Sequence, residues 1–100
     1  MSIVYTGIGG PTATVALEEL IELGAHTFIR TGTCGMLQSN SQRGDLFILT
    51  GYVRGGGTTL AYVPVQYPAV AHPDLVQALK LASFISQIPA YLLYHSALSL

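Results

Sequence analysis

Apolar runs that alternate with helix-like periods are the feature that most constrains how this chain folds. The runs and periods predict these strands and helices: strands at Ser2–Thr6, Thr27–Ile29, Asp45–Thr50 and Tyr91–Tyr94, and helices at Pro11–Leu23 and Pro73–Phe84. Strands written as continuous apolar runs are typical of a parallel or mixed sheet with both faces covered. The pattern therefore predicts an α/β fold with a mixed, mainly buried sheet.

The first predicted helix has a start and a stop in the sequence. Pro11 suits a first helical turn, and Gly24 suits the position just after a helix. Apolar residues recur at helical spacing on one side, and Glu18, Glu19 and Glu22 fall on the other. We therefore interpret the three glutamates as a solvated helix face.

The chain is poor in charge for its size. Charged residues make up 9% of it and hydrophobic residues 50%, whereas roughly 25% of a typical soluble domain is charged. A domain of 100 residues keeps much of its surface exposed and would be expected to be more polar than average. We therefore expect further sequence, a subunit interface or both to cover part of this surface.

Several broad functional classes are disfavoured. A net charge of −1 gives no electrostatic footprint for nucleic acid or anionic lipid. The apolar segment 84–100 is shorter than the roughly 20 residues of a spanning helix and contains Gln87 and Pro89. The first residues do not resemble a signal peptide, and a lone Cys34 provides no disulfide. We expect a cytoplasmic protein that binds neither nucleic acid nor membrane.

The run from Phe28 to Gly35 indicates a site for an oxyanion. A strand-like segment is followed by Arg30, Gly32, Thr33 and Gly35 within one short turn. Arginine offers a planar fork of donors that matches phosphate, glycines let backbone N–H groups approach it, and threonine adds a hydroxyl. The alternative is an arginine that reaches from the sheet edge to water or pairs with a carboxylate.

The glycine-rich turn Gly7–Gly10 lies between a predicted strand and a predicted helix, as in dinucleotide-binding folds. The full fingerprint needs a further glycine where this chain has Thr12, and an acidic residue about 20 positions on, where Phe28 to Arg30 stand. A packing turn or a general anion site fits these residues better than a dinucleotide site does.

Other polar residues carry weaker signals. The spacing of His26, His72 and His95 matches no compact metal motif, so we predict no metal site. Arg54 is a weaker phosphate candidate than Arg30. It is followed by three consecutive glycines, which predict a flexible or closely approached loop between Gly51 and Tyr62.

Two motifs in the correct order resemble the nucleoside phosphorylase family, which includes uridine phosphorylase and hexameric purine nucleoside phosphorylase. The first is the run from Tyr5 to Leu20, YTGIGGPTATVALEEL, and the second is RTGTCG from Arg30 to Gly35. The first departs from the family pattern at Tyr5, Thr12 and Val15. Val53-Arg54, Pro64 and the run Tyr67–Ala71 are more similar to the uridine phosphorylase branch.

The resemblance implies part of a three-layer α/β/α fold and reversible phosphorolysis of a nucleoside. Arg30 would bind phosphate, Thr33 would bridge phosphate and ribose, and Cys34 and Gly35 would line the base pocket. No catalytic residue is assigned, and Cys34 fits a small pocket residue better than a nucleophile because no histidine lies near it in sequence. Inorganic phosphate would be the co-substrate, with no other cofactor. Family members assemble from dimers into hexamers, which implies a homo-oligomer.

Residues 2–96 correspond to a central part of a family member, so we expect residues 1–100 to be a partial nucleoside phosphorylase domain. The family's second phosphate arginine would precede it, and the segments that read the base and hold the ribose would follow. Three functions remain open. They are a phosphorylase for uridine or a related pyrimidine nucleoside, a purine nucleoside phosphorylase, and a truncated non-catalytic member that binds phosphate weakly or associates with an intact homologue.

Overall fold

The computed structural model describes residues 1–35 and 40–95. Its elements, in chain order, are helix α1 (Gly10–Glu22), strand β1 (Leu46–Tyr52), a 3₁₀ helix (Thr58–Ala61), strand β2 (Ala69–Val70), helix α2 (Pro73–Ile85) and strand β3 (Ala90–His95). Both predicted helices are present with bounds shifted by a single residue, and the predicted strands at 45–50 and 91–94 are confirmed with small extensions.

The three strands form a mixed sheet in the order β2-β1-β3. β1 and β3 run parallel from the pair Leu46 and Ala90 to the pair Tyr52 and His95, with an irregularity between Leu49 and Gly51. β2 pairs with the end of β1 in the antiparallel direction. Because α2 connects β2 to β3 and contacts both β1 and β3, the predicted α/β fold with a mixed sheet is confirmed.

The core lies between α2 and the central strand. Ile48 of β1 and Val76 of α2 are each 7% exposed, and they are the buried hydrophobic side chains of the described residues. His72 caps the start of α2, because its Nδ1 accepts a hydrogen bond from the amide of Asp74 at 3.3 Å. Pro73 occupies the first turn, where its missing N–H has no helical partner to lose.

The described side chains of the sheet differ in how far they are buried. Within β1 only Ile48 and Gly51 are buried. The rings of Phe47 and Tyr91 stack across the sheet with centroids 5.5 Å apart, yet Tyr91 is 42% exposed and Leu92 49% exposed. Among the described residues, α2 is the helix that packs on this sheet, and the strands are buried where it covers them.

The molecule exposes more surface than a folded chain of its mass normally does. Its accessible surface is 8578 Å², whereas a compact protein of 10.6 kDa exposes about 5,500 Å². Its radius of gyration is 14.6 Å, against about 13 Å for a compact domain of 100 residues. Large apolar side chains contribute to this exposed surface, among them Ile3, Leu23 and Phe84.

Helix α1 has well-defined ends. Gly9 is the residue before its first turn and has φ 94° and ψ 163°, a conformation open essentially to glycine alone. At the other end Gly24 has φ 95°, and the amide of Ala25 donates to the carbonyl of Leu20 at 3.0 Å. These bonds satisfy the last carbonyls and end the helix, as the position of Gly24 predicts.

The two strands predicted near α1 are wrong for this structure. Residues 2–6 and 27–29 have no strand assignment, although both are apolar and β-branched enough to favour one. A strand exists through its hydrogen bonds to a neighbouring strand, and the described residues offer these segments no such partner. Ile3 and Tyr5 are consequently among the exposed apolar side chains.

Candidate functional site

The segment that follows α1 carries all four residues predicted to bind substrate. It runs irregularly from Ala25 to Gly35, starting from the bond that closes the end of α1. Its one described side-chain bond joins His26 Nδ1 and Thr27 Oγ1 at 3.1 Å. The predicted site residues, Arg30, Thr33, Cys34 and Gly35, are all exposed.

The Arg30 guanidinium has no hydrogen bond or ion pair with any other described residue. Among the described residues, a basic and an acidic side chain approach each other at His72 and Asp74, 4.0 Å apart, and His72 is charged there only when protonated. An arginine that snorkels or pairs with a carboxylate was the alternative to an anion site, and no described carboxylate pairs with Arg30. Its five N–H donors therefore point to no protein acceptor in residues 1–35 and 40–95.

The glycines beside Arg30 leave the backbone open. A Cβ built on Gly32 or on Gly35 would meet no atom within 4 Å, and neither residue has the left-handed φ that favours glycine. Neither local conformation nor packing among the described residues therefore requires glycine at these two positions. The backbone at the two glycines is therefore open to approach on the side where a Cβ would stand.

The glycine-rich turn before α1 is held by its own residues. Gly7 has φ 73° and Gly9 φ 94°, so both depend on glycine. The hydroxyl of Thr12 donates to the carbonyls of Ile8 at 2.8 Å and Gly9 at 3.0 Å, which closes the turn over the start of the helix. This geometry gives the turn a local packing role, one of the two roles that the sequence favoured over dinucleotide binding.

Two cavities lie beside the end of β1 and share Tyr52 and Arg54. The larger, about 350 Å³, is lined by Gly10, Pro11, Tyr52, Arg54 and the run 56–59. The smaller, about 180 Å³, is lined by the runs 52–54 and 65–70. Arg30 and its three companions line neither, so the structure does not bring the four predicted residues into either of these cavities.

Arg54 binds backbone carbonyls of the chain that follows β1. Its Nη1 donates to the carbonyl of Val63 at 3.3 Å, and its Nη2 donates to the carbonyl of Pro64. Its Nε is buried without a partner among the described residues. Two of its donors therefore close the loop that follows β1, which agrees with the lower rank given to Arg54 than to Arg30 as a phosphate candidate.

That loop also contacts α1, through residues that sequence reasoning did not single out together. The 3₁₀ helix packs on α1, and a Cβ added to Gly10 would lie 3.4 Å from the hydroxyl of Thr58. The Glu18 carboxylate lies close enough to Tyr62 that hydrogen bonding to it, followed by burial and then by its negative charge, raises the pKa of Tyr62 above its ordinary value. Glu18 itself is exposed, as expected for a solvated helix face.

The described part of the chain contains neither a metal-ligand cluster nor a helix that could span a membrane. No group of three or more His, Cys, Asp or Glu residues comes together within residues 1–35 and 40–95 in a way that could hold a metal ion. No helix in those ranges combines the length and the apolar character needed to cross a membrane. Cys34 is an exposed free thiol.

The chain is similar to known phosphorylases along most of its length. Residues 1–91 match the family model described as "Phosphorylase superfamily". Identity is 48% over 83 residues to uridine phosphorylase of Treponema pallidum, 48% over 79 residues to uridine phosphorylase of Thermococcus kodakarensis, and 44% over 79 residues to guanosine phosphorylase of Halorubrum lacusprofundi.

These matches cover 83%, 79% and 79% of this chain but 32%, 28% and 33% of the three relatives, so the chain spans about a third of their length. The matched residues 1–91 include both the glycine-rich turn and the Arg30 segment. The resemblance stated from these two motifs is therefore confirmed at the level of the family. This chain belongs to the phosphorylase superfamily.

Proposed function

We propose that the protein carrying this chain is a nucleoside phosphorylase that cleaves uridine or a related pyrimidine nucleoside with inorganic phosphate. Membership of the superfamily supports a phosphorolytic reaction, and two of the three relatives described above are named uridine phosphorylases. The products are the free base and ribose 1-phosphate. Phosphate is a co-substrate, and the proposal includes no other cofactor.

In this proposal a phosphate oxygen attacks the anomeric carbon as the glycosidic C–N bond breaks. The bonding electrons leave with the base, which then takes up a proton. Positive charge develops on the ribose as the bond breaks, and a phosphate held close to the anomeric carbon both supplies the nucleophile and stabilises that charge. Groups that fix phosphate therefore act directly on the rate.

The observation that carries the proposal is Arg30, an exposed guanidinium without a partner among the described residues, beside two glycines that nothing described requires. Arg30 binds phosphate in a planar, charge-assisted contact, and Thr33 donates its hydroxyl between phosphate and ribose. Cys34 and Gly35 line the base pocket, where a small side chain and a bare backbone leave room for a ring. The thiol has no covalent role in this scheme.

The proposal extends to assembly and compartment. A homo-oligomer built from dimers, up to a hexamer, accounts for the excess apolar surface, because a second copy would cover side chains that are exposed here. A cytoplasmic location suits a lone cysteine that forms no disulfide.

The test is phosphorolysis by the protein as its natural gene encodes it. With uridine and phosphate, Arg30→Ala is expected to lower kcat/KM about 100-fold or more, since it removes a preorganised donor that binds the nucleophile. Arg30→Lys keeps the charge but not the planar fork and is expected to recover only part of the loss. Arg43→Ala removes another exposed arginine, in the turn before β1, and serves as the matched control.

Wild-type activity that requires phosphate, is lost in Arg30→Ala and is kept in Arg43→Ala would support the proposal. Full activity in Arg30→Ala would overturn the role given to this residue. Absence of phosphorolysis with any nucleoside in the wild-type protein would overturn the function and favour a non-catalytic member of the family.

A purine nucleoside is the second candidate substrate. It is favoured by the 44% identity to a guanosine phosphorylase over 79% of this chain. Comparing kcat/KM for uridine with kcat/KM for guanosine in the same preparation separates the two. We expect uridine to be preferred, and a preference for guanosine would replace the pyrimidine assignment while leaving the roles of Arg30 and Thr33 intact.

A further inference from the structure

The proposed reaction gives no role to Arg54, although this charged side chain is partly buried. It lies two residues beyond the end of β1 and is half-buried. Burial of a guanidinium is unfavourable unless its N–H groups find acceptors, and a guanidinium cannot lose its proton to escape that cost. The acceptors it finds are two consecutive backbone carbonyls, Val63 and Pro64, nine and ten residues further along the chain.

These two bonds close the segment 55–63, which we call the glycine loop because it begins with three glycines. The 3₁₀ helix orders the middle of this segment through its own backbone bonds, but the glycines that precede it lose more conformational freedom on ordering than any other residue type. A Cβ added to Gly56 or Gly57 would meet no atom within 4 Å, and neither glycine has a left-handed φ. Packing around these glycines therefore does not hold them in place, whereas the Arg54 bonds join the two ends of the loop.

The glycine loop rests on α1 at two points. The 3₁₀ helix packs on α1, with Thr58 against Gly10 in the first turn, and Glu18 two turns later is near enough to Tyr62 to raise its pKa. Two contacts separated along the axis restrict both the position and the tilt of a helix, which a single contact would not do. A closed glycine loop therefore fixes α1 relative to the end of β1.

Helix α1 connects this contact to the Arg30 segment. It has 13 residues and is about 20 Å long, and its end is closed by the bonds from Leu23 to Glu19, Gly24 to Ile21 and Ala25 to Leu20. A capped helix of this kind moves as a rigid rod, so a tilt at its first turn displaces the chain that leaves its last turn. Arg30 lies five residues beyond the closing bond at Ala25.

We propose that Arg54 is a positioning residue: by closing the glycine loop against α1, it fixes the direction in which the Arg30 segment leaves that helix. The role rests on the proposed function, since Arg30 is given a task only there. Arg54 touches neither phosphate nor nucleoside in this scheme. Its effect is on how well Arg30 is placed to meet phosphate, so it should appear in the KM for phosphate more than in kcat.

The experiment compares Arg54→Lys with Arg43→Lys in the protein as its natural gene encodes it. Lysine keeps the charge and most of the stem, which favours folding, but its ammonium cannot bond two consecutive carbonyls as a planar fork does. The two readouts are the rate of limited proteolysis within residues 55–63 and the steady-state constants for phosphate and uridine. Arg43→Lys makes the same chemical change in an exposed turn and should alter neither readout.

Faster cleavage of the glycine loop together with a KM for phosphate raised about tenfold, and with kcat within about threefold of wild type, is the expected result in Arg54→Lys. Unchanged proteolysis would overturn the closure of the loop by Arg54. Faster proteolysis with an unchanged KM for phosphate would overturn the positioning role and leave a purely structural one.

A second variant acts at the other end of the contact. Tyr62→Phe removes the hydroxyl that reaches Glu18 and leaves the Arg54 bonds intact, so a rise in the KM for phosphate of about twofold to threefold is expected, in the same direction. No change in Tyr62→Phe would contradict transmission through α1. If the wild-type protein shows no phosphorolysis, the proposed function fails, whereas the proteolysis comparison still decides whether Arg54 closes the loop.

Discussion

Residues 46–95 and residues 1–35 differ in the contacts that stabilise their helices and strands. In the first region three strands pair with one another and α2 packs over β1 and β3, so that the hydrogen bonds and the buried pair Ile48 and Val76 lie within the region itself. In the second region α1 is well capped, but the apolar segments on both sides of it pair with nothing described. A helix can therefore form from signals within its own segment, whereas a strand forms only where a neighbouring strand accepts and donates its hydrogen bonds.

The two regions also differ in the roles of their residues. Packing is concentrated in residues 46–95, whereas the four predicted substrate-binding residues lie in residues 30–35, exposed and without side-chain partners among the described residues. Arg54 joins the two regions, because it lies two residues beyond the end of β1 and its loop rests on α1. Substitutions in the two regions should therefore have separable effects on stability and on activity.

The largest effect expected on stability comes from the core of the packed region. Ile48→Ala should lower the free energy of unfolding by about 3 kcal/mol, because it removes buried methyl groups and leaves a cavity under α2. The control is Val15→Ala on α1, a side chain that is 60% exposed, for which the change should stay below about 0.5 kcal/mol. Urea denaturation of each variant measures both values.

Equal losses in Ile48→Ala and Val15→Ala would break the comparison between the two regions. Such a result would mean that Val15 is covered in solution to the same degree as Ile48, which the predicted subunit interface would explain. The same pair of variants, measured over a range of protein concentration, would then show whether the cover is a second copy of the chain.

The second effect contrasts two glycines, one on each side of the contact between the regions. Gly9→Ala should destabilise the protein by about 2 kcal/mol, because φ 94° and ψ 163° lie in a region that alanine does not tolerate. Gly56→Ala should stabilise it by about 0.5 kcal/mol, since no atom lies near the new methyl group and the unfolded chain loses freedom. Thermal or urea unfolding distinguishes the two signs.

Measuring phosphorolysis by Gly56→Ala gives a second, independent result. If the variant gains stability but loses phosphorolysis, the open backbone at this position is needed for something that approaches it, and the glycine loop has a role beyond supporting α1. If activity is kept, the loop acts on the site through its contact with α1 alone. Destabilisation by Gly56→Ala would contradict the open geometry described for this residue.

The same difference between helices and strands decides how much of the fold could be predicted from the sequence. Both helices could be predicted within one residue at each end, because Pro11, Gly24 and Pro73 are local signals that act without tertiary contacts. The strands at 2–6 and 27–29 could not be judged in this way, since their existence depends on hydrogen bonds to other strands. Strand β2 could not be predicted either, because two residues carry no recognisable period and form a strand only by pairing with β1.

The candidate site shows a similar limit. Arg30, Thr33, Cys34 and Gly35 could be selected from the sequence through the chemistry of an arginine among glycines and through family resemblance. The role of Arg54 could not, because its partners are the carbonyls of Val63 and Pro64, and a backbone carbonyl leaves no trace in the sequence. The sequence could rank Arg54 below Arg30 as a phosphate ligand, but only the geometry identifies what it binds.

The smallest effect expected is a pH dependence at the contact between Tyr62 and Glu18. The bond to the Glu18 carboxylate, with smaller contributions from burial and charge, raises the pKa of Tyr62 above 10.0 in the folded protein, so the neutral phenol is the form that folding favours. The stability from this bond is fully present below about pH 10 and is lost as the pH rises through the folded pKa, because the tyrosinate would then face a carboxylate.

Tyr62→Phe cannot ionise and therefore isolates this contribution. Between about pH 8 and about pH 11 the wild-type protein should lose more stability in urea than Tyr62→Phe does, so that the two curves approach each other at alkaline pH. The difference should be small because Tyr62 is 58% exposed and water screens the pair. Parallel curves would show that the hydroxyl makes no bond to Glu18 in solution, and the glycine loop would then rest on α1 through Thr58 alone.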